Sequence, residues 1–175
     1  MRRYIRSIFY IVLILFIFTL HVAAANLFPF PLNRLNIILI SAMWLLIFNK
    51  QNKIVFVFLL SLISELFLST PFGLNTAALL ISAAALEWVL LNLLTNRFFT
   101  MVFLAGLFGT FLFKASFFSI FLLMKIFGLA EISMNQSVLL SSLIEIVVNA
   151  GALTLIYIIS LLFVKRLNPK YIVDR

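Results

Sequence analysis

An all-α polytopic membrane protein is the fold this sequence predicts: one integral membrane unit, a bundle of about six transmembrane helices with both termini cytoplasmic. Three observations predict it. Of the 175 residues, 65% are hydrophobic and 10% charged, where soluble domains average about half and a quarter. A chain of this length cannot hide so much apolar surface in one water-soluble core. The apolar residues fall in six runs separated by short polar or Pro- and Gly-bearing turns. The basic residues gather at the ends of those runs, so the net charge of +8 reads as a set of topology signals and not as a nucleic-acid surface.

The first run, residues 4–25, follows Arg2, Arg3 and Arg6. Its Ala23-Ala24-Ala25 end is like a signal-peptide cleavage site, but the run is long for a leader and more membrane segments follow, so it reads as a retained span. Pro29 and Pro31 block helix continuation through the 26–34 loop. The second run, 35–48, has only 14 residues, short of the roughly 20 that cross a bilayer. Asn49, Lys50, Gln51, Asn52 and Lys53 make a polar turn. The third run is 54–68. A turn centred on Pro71 and Gly73 leads to the fourth, 75–94, and Thr95-Asn96-Arg97 to the fifth, 98–124. The sixth is 138–164, followed by a basic tail.

Charge decides whether the short second run crosses. With six crossings and a cytoplasmic N-terminus, the inside holds Arg2, Arg3, Arg6, Lys50, Lys53, Arg97, Lys165, Arg166, Lys170 and Arg175, and the outside Arg34 and Lys125. That is the positive-inside pattern. If the second run stays on one side, Lys50, Lys53 and Arg97 part company with the N-terminal arginines. Six crossings are therefore expected, with the second helix extending back through Pro31 and Leu32 and Arg34 snorkelling outward. The connecting loops are too small for a receptor or an extracellular enzyme.

Ionisable residues inside apolar runs are expensive and need a reason. Glu65, Glu87, Lys114 and Glu145 are of this kind. At about 1.5 Å of rise per residue, Glu65, Lys114 and Glu145 each fall roughly 5 to 8 Å to the outer side of centre. Glu87 falls about 4 Å to the inner side. The first three share a layer, so Lys114 is expected to pair with Glu145, Glu65 or both. Such a cluster serves to fix helix register, to hold a solute or relay protons, or to dock a partner's helix. Glu87, beside Trp88, faces either the cytoplasmic interface or a polar crevice.

The remaining polar residues exclude more than they suggest. His21 is the single histidine and there is no cysteine, so a thiolate or histidine-based metal site, a disulfide or a His-driven catalytic set lacks material. His21 lies where an interface residue would. The 21 phenylalanines read as lipid-facing and packing surface. Gly106-x-x-Gly109 and Asn149-Ala150-Gly151 suit close helix approach, and Ser141, Ser142 and Asn149 suit interhelical hydrogen bonds. No Walker loop, HExxH or GxSxG is present. The expectation is a protein that is not an enzyme and that needs no cofactor.

Glu65, Pro71, Gly73, Leu74 and Asn75 form a pattern, an acid a few residues before a Pro, apolar, Gly-Leu turn that opens the next span. It resembles the signature of MreD, the family of small bacterial rod-shape-determining membrane proteins. Span number, size and basic ends resemble that family too, as does the basic-aromatic step Arg97-Phe98-Phe99. The family typically has Asp where this chain has Glu65, which lengthens the side chain by one methylene. The resemblance implies a non-enzymatic part of the cell-elongation machinery in the bacterial cytoplasmic membrane. It implies partners such as MreB, an MreC-like coiled coil, and RodA with its penicillin-binding partner. On that reading the hairpin Pro71, Phe72, Gly73, Leu74 and Asn75 is an outer-face contact. The basic ends attract anionic lipid headgroups, at about 1 kcal/mol per residue near the surface.

A different class competes with this one. The substrate-binding subunits of energy-coupling-factor vitamin transporters are similar in size and span number and hold a small molecule near the outer face. The layer of Glu65, Lys114 and Glu145 could line such a pocket. An orphan scaffold without a ligand is the third alternative.

Overall fold

A computed structural model describes residues 2–48, 53–66, 70–92, 99–129 and 136–167, the side chains of 2–11, 136, 137, 139 and 163–167 excepted. The turns at 49–52 and 95–97, the step at Arg97 and Phe98, the tail beyond 167 and the side chains of Arg2, Arg3 and Arg6 lie outside the described residues. All regular structure among the described residues is helical. In chain order it is α1 (Arg2–Leu27), a 3-10 turn (Leu32–Arg34), α2 (Ile37–Phe48), α3 (Lys53–Glu65), α4 (Leu74–Asn92), α5 (Phe99–Ile126) and α6 (Gln136–Leu167).

Consecutive helices pack side by side and run in opposite directions. The end of α3 meets the start of α4 through Glu65 and Asn75, and the start of α3 meets the end of α4 through Lys53 and Glu87. One end of the bundle therefore carries the α3–α4 hairpin, the end of α1 and the start of α2; it is the hairpin end below. The short α2 is the hub. It touches α1, α3, α4, α5 and α6, and six of its 12 residues are buried.

The helix ends follow local chemistry. Helix α2 does not extend back through Pro31 and Leu32 as expected. Those residues enter a separate 3-10 turn, and Asn36 starts α2 afresh as an N-cap, its Oδ1 accepting from the Leu39 N–H at 3.1 Å. Helix α3 stops at Glu65, three residues short of its apolar run. Gly73, at φ +93°, then makes the left-handed step that a side chain would strain, and α4 begins at Leu74.

Among the residues whose side chains are described, three helices are long and apolar enough to cross a membrane: α4, α5 and the Leu140–Leu162 part of α6. The expectation was six. The 12 residues of α2 rise about 18 Å and the 13 of α3 about 20 Å, short of a hydrocarbon core about 30 Å thick. Every helix but the central α2 nonetheless presents large apolar side chains outward, among them Phe16, Val55, Ile81, Phe111 and Leu155. Such a surface suits lipid and not water.

The core sits around α2, α4, α5 and α6, with Met43, Leu79, Leu86, Ala105 and Leu153 almost wholly buried. Two glycines set its spacing. A Cβ on Gly106 would stand 2.8 Å from Ala150 Cα, and one on Gly109 would stand 2.6 Å from Met43 Cε. Helices α5 and α6 thus touch through backbone, the close approach that small residues permit where lipid offers no hydrophobic drive.

Candidate functional site: a polar cavity at the hairpin end

Toward the hairpin end the same helices separate. Among the described residues α1 packs on α2, α3 and the 3-10 turn but not on α5 or α6. A cavity of about 400 Å³ fills that gap, within the usual size of small-molecule sites.

Two charges lie on its far wall. Lys114 of α5 and Glu145 of α6 form an ion pair with Nζ and Oε2 2.6 Å apart, both side chains mostly buried. The Lys114 ammonium also stands 5.9 Å from the centre of the Phe113 ring, close enough for a cation–π contribution. The pair arises because antiparallel neighbours place the two residues at one height, so each neutralises the other in surroundings where a lone charge is costly.

Glu65 does not join them. The structure brings Lys114 and Glu145 together and sends Glu65 to the hairpin. Its carboxylate accepts from the Asn75 N–H at 3.1 Å, from the Thr76 N–H at 3.0 Å and from the Thr76 hydroxyl. Those amides belong to the first turn of α4, which has no intrahelical acceptors for them. An acid from the preceding helix acts as the N-cap and places its charge at the positive end of the α4 dipole. Asn75 Nδ2 also donates to Ser64 Oγ at 2.9 Å, and Ser64, Glu65 and Asn75 are all buried. The hairpin is thus tied at both ends, with Leu74 tucked inside and Phe72 71% exposed at its tip.

Glu87 does not face the cavity. It pairs with Lys53 at 2.7 Å across α3 and α4 near the opposite end of the bundle, while Trp88 points outward. Lys53, read from sequence as part of a polar turn, is the partner that reading missed. Asn149 does bridge helices, its Oδ1 accepting from the Asn36 N–H at 2.9 Å. Ser141 and Ser142 instead bond the Val138 carbonyl of their own helix.

Four polar residues of the cavity wall were missed or set aside from sequence: His21, Asn33, Arg34 and Thr70. His21 Nδ1, Asn33 Oδ1 and Thr70 Oγ1 are buried and have no hydrogen-bond partner among the described residues. Arg34 has no ion-pair partner among them. The signal in the sequence was the polar stretch Asn33-Arg34-Leu35-Asn36 set directly before an apolar run. Among the described residues no three His, Asp or Glu side chains converge as metal ligands would. No protein-family model matches the chain, and no curated protein or solved structure is similar to it at a significant level.

Proposed function

We propose that the chain is a non-enzymatic membrane component of the bacterial cell-elongation machinery, a member of the MreD kind that scaffolds peptidoglycan-synthesis proteins. It would sit in the cytoplasmic membrane as a six-crossing bundle, α2 and α3 spanning by virtue of their place inside the bundle, both termini cytoplasmic and the hairpin end outside. The observation that carries this reading is the folding of the acid, Pro, Gly-Leu-Asn signature as one unit. Glu65 locks the start of α4, so that Pro71 and Phe72 are held out as a rigid contact for a partner such as an MreC-like protein. A bundle of bare helices and short turns recognises partners through such points and through its lipid-facing sides. The test is depletion in a rod-shaped host, with a photo-crosslinker at Phe72→Cys. Rounded cells and capture of an MreC-like chain are expected; unchanged shape would sink the reading.

The cavity favours a second reading, a substrate-binding subunit of a vitamin transporter. Copurification of ATPase subunits and loss of uptake of one vitamin on depletion would decide for it.

A further inference from the structure

The cavity has a sign and a polarity of its own, and these stand whichever of the two functions holds. Lys114 and Glu145 cancel at 2.6 Å, which leaves Arg34, exposed at the rim, as the charged side chain of the wall without an ion-pair partner among the described residues. Its guanidinium carries five donors in a planar fork suited to a carboxylate or a phosphate. Beside it stand the unpartnered atoms of His21, Asn33 and Thr70. A buried polar atom without a partner costs about 1–3 kcal/mol, and among the described residues three such atoms surround one cavity, a cost that a polar ligand would offset. The rest of the wall is apolar and aromatic. Phe18, Leu79, Phe113 and Phe117 line it, with the rings of Phe113 and Phe117 6.2 Å apart.

We propose that this cavity is a binding site for an anionic group carried on an apolar body. Arg34 takes the carboxylate or phosphate at the mouth. The Thr70 hydroxyl donates to one of its oxygens, Asn33 Oδ1 accepts from a hydroxyl or N–H next to the anionic group, His21 lines the same wall, and the body lies against Phe113 and Phe117. Ala25 and Val22, exposed on α1 and part of the wall, place the mouth beside the apolar outer surface of α1. The anion therefore comes from one of two sources with the same chemistry, the phosphate headgroup of a lipid or a free aryl-alkyl carboxylate.

The test uses the full chain in a neutral detergent. Binding is measured by thermal stabilisation and by native mass spectrometry, with dioleoyl-phosphatidylglycerol as the lipid probe, dioleoyl-phosphatidylcholine as its zwitterionic control, and 4-phenylbutyrate as the free probe. Saturable binding of phosphatidylglycerol above phosphatidylcholine assigns the site to a lipid headgroup, and saturable binding of phenylbutyrate assigns it to a free anion. Either supports the site if Arg34→Gln weakens it by about tenfold or more, the loss expected for a charge-assisted contact. Ala25→Trp, which fills the mouth without touching a polar group, should abolish it. Lys53→Gln, at the far end of the bundle, should leave it unchanged. No saturable binding of either probe, or binding that survives both Arg34→Gln and Ala25→Trp, overturns the proposal. The readout is direct binding to purified protein, so its failure is distinct from failure of the shape or uptake experiments.

Discussion

Helix α5 passes through two different environments within twelve residues. At Gly106 and Gly109 it lies backbone to backbone on α6 and against Met43 of α2. At Phe113, Lys114 and Phe117 it stands off from α1, and a polar cavity opens. The apolar content of the two stretches is similar. The neighbour differs as well as the side chain: at the glycines α5 closes on α6 and α2, whereas at Lys114 and Phe117 the cavity lies between it and α1, a helix it does not touch among the described residues. Small residues mark the dry contact in this bundle, and a paired charge with aromatics lines the hollow one.

Six substitutions at five positions break or sharpen that contrast, each measured as a change in unfolding free energy of the detergent-solubilised protein. The largest effect belongs to the dry contact. Gly106→Leu forces α5 away from Ala150, where even a Cβ stands 2.8 Å from backbone, and should cost about 3 kcal/mol or more. A cost below about 1 kcal/mol would show that the close approach is not structural. Lys114→Leu comes next. It strands Glu145 on the cavity wall and should cost about 2–3 kcal/mol, discounted from a fully buried pair because both side chains keep some exposure. Adding Glu145→Leu should recover most of that loss, because the penalty lies in the unpaired charge. Additive losses would argue that the two residues act separately.

Glu65→Ala removes the acceptor for two amides and a hydroxyl at the start of α4. It should cost about 2 kcal/mol, the upper range for a helix cap. Glu65→Gln, which keeps one of the two accepting oxygens and loses the charge facing the dipole, should cost about 1 kcal/mol. Equal costs would mean that the ionised carboxylate carries the whole effect, and a Glu65→Gln variant as stable as the parent would mean that the charge contributes nothing. An effect as small belongs to the opposite end. Lys53→Met breaks a pair nearly as buried as Lys114 and Glu145 but set near the ends of α3 and α4, and should cost about 1 kcal/mol.

The fate of the four intramembrane ionisable groups shows which information a linear sequence carries. Rise per residue placed Lys114 and Glu145 at one depth, and they do meet. The same estimate placed Glu65 in that layer, and it went elsewhere, to amides only ten and eleven residues along the chain. Depth along a helix axis can be read by counting, because each residue adds a fixed rise. Azimuth cannot, because the face a residue presents depends on how its helix is rotated against all its neighbours. Glu87 repeats the lesson: its depth was estimated, while its partner Lys53 was set by the way α3 lies on α4.

By itself the sequence determined that the chain is helical and apolar, that the chain turns at Pro71 and Gly73, and that Gly106 and Gly109 are points of close approach, because composition, backbone freedom and side-chain volume are local properties. The tertiary structure alone decided that the shortest apolar run is the hub of the bundle. It alone brought His21, Asn33, Arg34 and Thr70, from three separate stretches of chain, to the wall of one cavity. Convergence of that kind arises from the relative rotation and tilt of whole helices, and no pattern within a single helix encodes it.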